Sequence, residues 1–319
     1  MNVSIIIPIK IKFGESLEGF IAQIVTLAEQ IKDTDSEIII ADESERLVNK
    51  YIKNHLECIE NVNHFVPDPN IRTGANDKLN GIYDALNYVN YDNILLIDDH
   101  YRITRETLNK ISPFYNRYDC FKVMPKFDKF PISAKIDLCG MFIVNLLDYR
   151  KQYCGHLAFT KELIDRVGFP NRDSLFDELA LENQLRKGSN RICFLKNISL
   201  EAEQNISYRK FLEQRVRYAY ENFAFPFRTL FFLSIIPIIV VLFIINITYM
   251  YYFILIVSII SILFGLLGQL VYARNIAPTS TFLLSPVWFW FYPFTTWIAV
   301  YKYLNGGVYF GGKKVRRAV

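Results

Sequence analysis

Between Thr229 and Val271 the chain has no Asp, Glu, Lys or Arg. That stretch is much longer than a buried core helix needs and long enough for two membrane crossings, since about 20 apolar residues span a bilayer. A large excess of one sign of charge is also lacking. The net charge is +4, and no basic stripe interleaved with stacking aromatics occurs, which argues against a nucleic-acid partner. The five cysteines, Cys58, Cys120, Cys139, Cys154 and Cys193, are odd in number, widely spaced and form no C-x-x-C pair. This excludes a zinc or dithiol motif and is expected of reduced, mostly buried thiols in a cytosolic domain. The opening "MNVSIIIPIK" has no basic leader, and its short apolar run meets Pro8, so it reads as a first strand and not as a signal peptide. Internal repeats and low-complexity tracts are absent too.

Apolar and aromatic residues are abundant: 51% of the chain is hydrophobic, with 26 Phe and 20 Tyr. Charges are frequent up to about Phe227 and then stop. The break divides the chain into residues 1–227, expected as a cytosolic α/β domain, and residues 228–319, expected as a membrane region. Spans are expected at about 229–247 and 251–271, with Asn246 and Thr248 in the turn between them. A third apolar segment, about 281–304, contains Pro286 and Pro293 and aromatics resembling an interfacial belt. If the first domain is inside, two crossings return the chain inside, where the basic "GGKKVRR" belongs. The third segment is therefore read as re-entrant or in-plane, with a true span as the alternative.

In the first domain, apolar strands alternate with helical periodicity. "VSIIIPIK", "SEIIIADES", a weaker "VNHFV" and "YDNILLIDDHYRI" are strands, with helices in "ESLEGFIAQIVTLAEQI", from about Arg46 to Cys58 and in "KLNGIYDALNYV". The alternation implies a mostly parallel, doubly wound sheet flanked by helices. Farther on, "CFKVMP" and "RICFL" read as short strands, and helices are expected at about 160–167 and 177–187. "LCGMFIVNLLDYRKQY" reads as a helix, buried or grazing a bilayer. The run Ile94–Ile97 is apolar at every position, as in a strand covered on both faces, and it ends in Asp98, Asp99 and His100. Ligands of such sheets lie beyond the strands' carboxyl ends. Two carboxylates and an imidazole there suit a divalent cation carrying phosphate. The same acids also suit the cap of a helix near Thr104.

Taken together, these stretches resemble the family 2 glycosyltransferases, inverting enzymes with a GT-A nucleotide-diphospho-sugar transferase fold, over almost the whole chain. "VSIIIPIK" resembles the family's first strand, which places Pro8 at the donor site, and "EIIIADES" its second, whose terminal acid, Asp42, would contact the nucleotide base. "RTGANDKLNGIYDAL" is similar to the Gly-rich stretch before a helix. There Gly74 would let the backbone approach phosphate, and Arg72 and Lys78 would supply positive charge to the diphosphate. "LIDDHY" takes the place of the Asp-x-Asp motif. Aligning Asp98 with its first acid puts His100 at the second, so Asp98 and His100 are the expected metal ligands, Mn²⁺ or Mg²⁺, with Asp99 as the competing one. The block "GHLAFTKELIDRVGFPNRDSLFDELALENQLRKGSNRICFL" resembles the acceptor side, where a Glu-Asp pair opens a helix and supplies the general base. Here the order is Asp177-Glu178, and the register through Leu181, Leu185 and Gly188 assigns the base to Glu178. Acids in a first helical turn also simply complement its dipole. "EQRVRYAY" carries Gln214, Arg217 and Tyr218, close to a Gln-x-x-Arg-Trp motif, after a Glu203 that also fits.

The resemblance implies metal-dependent transfer of a sugar, with inversion, from a UDP- or GDP-linked donor. The apolar tail implies that the acceptor is a lipid, or a lipid-linked or membrane-extruded glycan, and the cysteines and basic terminus place the catalytic domain on the cytoplasmic side of a membrane. No nucleophile is needed, and no Ser-His-Asp or Cys-His set stands out. A polysaccharide-chain enzyme is an alternative, although two spans are few for a polymer channel. A sugar nucleotidyltransferase would want a Gly-rich basic loop after the first strand, where only Lys10 and Lys12 occur. The altered motifs also fit an inactive membrane scaffold.

Overall fold

The computed structural model describes residues 2–12, 17–148, 155–203, 208–274, 276–310 and 313–319; the start of the first expected helix and Cys154 lie outside them. In chain order the elements are β1 Val3–Ile9, α1 Glu18–Ile31, β2 Ser36–Asp42, α2 Arg46–Leu56, β3 Val62–Phe65, α3 Asp77–Ala85 and β4 Asn93–Ile97. There follow β5 Tyr101–Arg102, α4 Arg105–Ile111, β6 Cys120–Phe127, α5 Ile132–Leu147, β7 His156–Thr160, α6 Lys161–Val167, α7 Asp177–Leu185 and β8 Ile192–Ala202. The last are α8 Tyr208–Glu221, α9 Pro226–Ile245, α10 Ile247–Tyr272, α11 Ser285–Leu304, β9 Val308–Phe310 and β10 Lys313–Val315. They form two compact units, Met1–Pro125 with Cys154–Glu203, and Lys126–Tyr153 with Gln204–Val319. The composition break near 228 and this division therefore differ, because residues 126–153 and 204–227 group with the C-terminal helices.

The first unit is a mixed α/β unit built on an eight-stranded sheet of order β3-β2-β1-β4-β7-β6-β8-β5. The strands from β3 to β4 are parallel, with Ile5 facing Ile38 on one side and Leu95 on the other. β1 is buried throughout, as its unbroken apolar run requires. It also continues past Pro8, where the sequence suggests a stop. Pairing with β4 ends at Ile6–Leu96, whereas pairing with β2 runs on to Ile9–Asp42, so Pro8 sits where β1 has become an edge on one side. Beyond β4 the sheet turns antiparallel, because β7 runs against both β4 and β6. β7 escapes the sequence reading: it is five residues long and passes directly into α6 at Thr160, whose side chain caps that helix. Leu79 and Ile82 of α3, Leu96 of β4, Phe159 of β7 and Leu181 and Leu185 of α7 share one core cluster. The helices that carry the site are thereby packed against the strands that end at it.

The second unit is mainly helical, with β9 and β10 as an antiparallel pair near its end. α5 is buried through most of its length and packs on α10 and α11, which settles the buried or bilayer-grazing choice in favour of burial within this unit. α9 and α10 are both long and apolar enough to cross a membrane, yet only 11% and 22% of their apolar windows are buried by protein. A single residue, Asn246, separates them, and its Oδ1 accepts from Thr248 N at 2.8 Å. α11 runs unbroken through both of its prolines. Pro286 lies in the first turn, where a missing N–H costs nothing, and Pro293 is carried inside the helix. Its aromatics do not all form a surface belt: Trp288 and Tyr292 are buried, and Tyr292 lies against Phe232 at 5.0 Å. Within this unit α5, α9, α10 and α11 line a cavity of about 760 Å³, bordered by Asp148 and Arg228 and otherwise walled by side chains such as Ile143, Phe232, Ile260 and Phe264.

Candidate active site

The site is assembled where β4 ends. Asp98 follows the last residue of that strand; its backbone N–H donates to the Gly155 carbonyl at 3.1 Å, and its own carbonyl accepts from Tyr101 N at 3.1 Å. The residues 98–101 thus make a tight turn pinned from the side by the entry to β7. Thr104 caps α4 with its own hydroxyl, accepting from Thr107 N at 3.2 Å, so the capping role open to the acids is already filled.

Two helix starts point at this turn. Lys78 is the second residue of α3, and Asp177 and Glu178 are the first two of α7. The loops leading into the two helices are laced together. Asn76 N donates to the Arg172 carbonyl at 2.9 Å, Asn76 Nδ2 to the Ser174 carbonyl at 2.7 Å, and Ala75 N to Asp173 Oδ1 at 2.9 Å. Asn76 also caps α3. A Cβ at Gly74 would lie 2.3 Å from the Cβ of Arg172, so the missing side chain serves this loop-to-loop approach, where the resemblance suggested an approach to phosphate. Asn76, Arg172 and Asp173 carry no sequence signal of function, because their role is to join two distant loops.

The result is a compact charge cluster. Lys78 Nζ is 2.5 Å from Asp98 Oδ1, 2.5 Å from Asp177 Oδ2 and 3.0 Å from Glu178 Oε1. Although adjacent helix residues diverge by about 100°, Asp177 and Glu178 both reach Lys78. Register through Leu181 and Leu185 therefore does not separate the two acids, which face the same ammonium. They differ instead in burial: Asp177 is buried, whereas Glu178 is partly open to solvent. Burial works against the ammonium of Lys78, but Asp177, Asp98 and Glu178 together hold its pKa well above the usual lysine value. Burial raises Asp98, with Lys78 opposing it. Burial, and then the charge of Asp177, push Glu178 up to about 8, with Lys78 again opposing.

Asp98, Asp177 and Glu178 offer oxygens that all lie within 4.8 Å of one another, a set of hard donors that fits a divalent cation. His100 is outside this set; its Nδ1 faces Asp99 Oδ1 at 3.5 Å, and Glu203 N donates to its carbonyl at 2.8 Å. Asp42 is fully buried, and its carboxylate accepts from Ser44 N at 2.8 Å, Asn49 Nδ2 at 3.1 Å and His64 Nε2 at 2.9 Å. Arg72 pairs with the buried Glu43 at 2.8 Å. Gln214, Arg217 and Tyr218 belong to α8 of the helical unit. There the Arg217 guanidinium lies 4.6 Å from the Phe310 ring, and Tyr218 lies under the Arg215 guanidinium at 4.8 Å. Arg215, which the sequence reading passed over, is buried and paired with Asp137.

Gly155, at the entry to β7, lies directly against Asp98. Gly155 N donates to Tyr101 Oη at 3.1 Å, and a Cβ at Gly155 would come 2.8 Å from the Tyr101 ring and 3.1 Å from Asp98 Oδ2. His156 is buried and accepts from Val123 N through Nε2 at 3.0 Å; burial, and then the charge of Lys122, lower its pKa to about 3 and keep it neutral. Gly155→Ala is expected to move Asp98 and lower Mn²⁺ affinity by about tenfold at an unchanged fold. Calorimetry with Mn²⁺, beside far-UV circular dichroism, checks this, and unaltered Mn²⁺ binding would show that Gly155 does not set the position of Asp98.

No family model and no curated protein matches the chain. Several solved structures are similar. A fragment of S. aureus TarS, residues 1–349, is 16% identical, with a TM-score of 0.47, over 98% of this chain and 95% of that one. The mannosyltransferase PcManGT from Pyrobaculum calidifontis, in complex with GDP-Man and Mn²⁺, is 14% identical, with a TM-score of 0.49, over 97% of this chain and 76% of that one. Mannosyl-3-phosphoglycerate synthase from Rubrobacter xylanophilus is 14% identical, with a TM-score of 0.46, over 66% of this chain and 70% of that one. These are resemblances of outline, and the residues of the site carry the functional reading by themselves.

Proposed function

We propose that the protein transfers a sugar, with inversion, from a nucleotide-diphosphate sugar to a lipid or lipid-linked acceptor at a membrane, with a divalent cation. The observation that carries this reading is the convergence of Asp98, Lys78, Asp177 and Glu178 beyond the carboxyl end of β4, in a sheet whose first half is parallel. Inverting transfer asks for a base at the acceptor hydroxyl and for stabilisation of a departing diphosphate. Glu178 suits the first task, because it is the more open of the two α7 acids. Asp98 and Asp177 suit the second as cation ligands, with His100 joining only if its ring turns away from Asp99. The bound cation would neutralise charge developing on the diphosphate. Lys78 and Arg72 add positive charge on the donor side. Gln214, Arg217 and Tyr218 are proposed to serve the diphosphate and the acceptor, as the sequence motif suggests.

The lipid acceptor is supported by the second unit. α9 and α10 expose apolar surface along most of their length, which water would not tolerate in two consecutive helices. The apolar cavity beside them is within the usual size of small-molecule sites and suits a hydrocarbon chain. Incubating the protein with UDP- and GDP-sugars, Mn²⁺ and extracted lipids tests the reaction. A labelled lipid product that disappears without metal supports it; transfer to none of the lipids from any donor would overturn it.

The expected orientation has its own test. In a cysteine-free background, a membrane-impermeant thiol reagent applied to intact cells should label a cysteine at Asn246 and miss one at Arg317. Both positions are exposed on the protein, whereas the neighbouring Ala318 is buried and would resist labelling for that reason alone. Labelling at Arg317 would mean an odd number of crossings.

A further inference from the structure

We infer that Lys78 is a resident counter-cation: in the protein without donor its ammonium stands where the divalent metal binds, and metal enters the site only as Lys78 leaves it. Three facts carry this. Lys78 Nζ is ion-paired with three carboxylates at once, donating to Asp98 Oδ1 at 2.5 Å and Glu178 Oε1 at 3.0 Å, with Asp177 Oδ2 at 2.5 Å. The three acceptor oxygens lie within 4.8 Å of one another, so the space between them holds one cation and not two. The lysine is also free to move without disturbing the scaffold. It stands on a flexible four-carbon stem at the second position of α3, while the Asn76 cap and the lacing to residues 172–174 hold the start of that helix.

The arrangement gives metal binding a threshold. Three converging carboxylates, one buried and two partly buried, are costly to hold without a counter-charge, so Lys78 keeps the acids compensated until something replaces it. Metal alone must displace the ammonium into solvent or against a second positive charge. A metal arriving with a diphosphate supplies both a replacement cation for the acids and an anion to receive the lysine. Metal and nucleotide are thereby coupled, each raising the affinity for the other. The inference rests on the nucleotide-sugar reading only for the identity of that anion.

The test measures Mn²⁺ alone, without nucleotide, on the full chain in detergent. Lys78→Met keeps the stem and removes the charge. It is expected to bind Mn²⁺ at least about tenfold more tightly than the wild type, in which the site is open to metal only in the small fraction of molecules whose lysine has left it. Lys10→Met is the control for charge at a distance, since Lys10 pairs with Asp77, one residue before Lys78, at 2.7 Å; its Mn²⁺ affinity should stay within about threefold of wild type. Without metal, Lys78→Met should unfold at a lower temperature than the wild type and be raised more by Mn²⁺. Adding UDP or GDP should strengthen Mn²⁺ binding more in the wild type than in the variant. If Lys78→Met fails to fold, Lys78→Gln is measured in its place. Unchanged or weaker Mn²⁺ binding by the Lys78 variant overturns the inference, as does an equal gain in Lys10→Met. Failure of the glycosyltransferase reading would appear separately, as absence of sugar transfer by the wild type with these binding results intact.

Discussion

Replacing Asp98 with Ala is expected to abolish Mn²⁺-dependent binding of a nucleoside diphosphate while leaving the fold in place. The side chain stands beyond the last residue of β4 and not among the core residues Ile94–Ile97, so its removal takes nothing from the sheet. It takes away one of three converging carboxylates and one of the three partners of Lys78. Loss of residues that merely orient metal ligands costs about 10–100-fold in affinity, and loss of a ligand should reach at least the upper end of that range. Calorimetry with UDP or GDP in the presence and absence of Mn²⁺ reads the effect. Binding that persists at wild-type strength would remove Asp98 from the metal site.

The second large effect is expected at α7. Glu178→Gln should keep donor affinity and lose turnover by about 10² to 10⁴, the range for removal of a general base. Asp177→Asn should behave differently. Asp177 is buried against Lys78, so the variant leaves that lysine with two acids and should weaken Mn²⁺ binding before it affects the proton transfer itself. The pair is separated by measuring metal affinity and kcat on both variants. A kcat loss confined to Asp177→Asn, with Glu178→Gln near wild type, would move the base to Asp177.

What the sequence by itself determined are the features that composition and short periodicities encode. The run Ile94–Ile97 has to be a buried strand, and the acids after it have to lie at a sheet end, because apolar side chains at every position leave the strand no solvent face. The uncharged stretch from Thr229 marks α9 and α10, since a helix needs nothing from its neighbours to satisfy its backbone. Lys78, Asp98, Asp177 and Glu178 were each identifiable from their motifs. Only the tertiary structure decided that they meet. Lys78 and Glu178 are 100 residues apart, and their contact depends on the lacing of Asn76 to Ser174 and on the close approach at Gly74, which no local pattern announces. The same holds for β7, whose entry at Gly155 supports Asp98, and for α5, which groups with helices that begin more than fifty residues later. His100 shows the limit from the other side. Its place after Asp98 is local and legible, but whether its ring faces a metal or Asp99 is set by the turn from 98 to 101 and the tie of Glu203 to its carbonyl, and these are tertiary contacts.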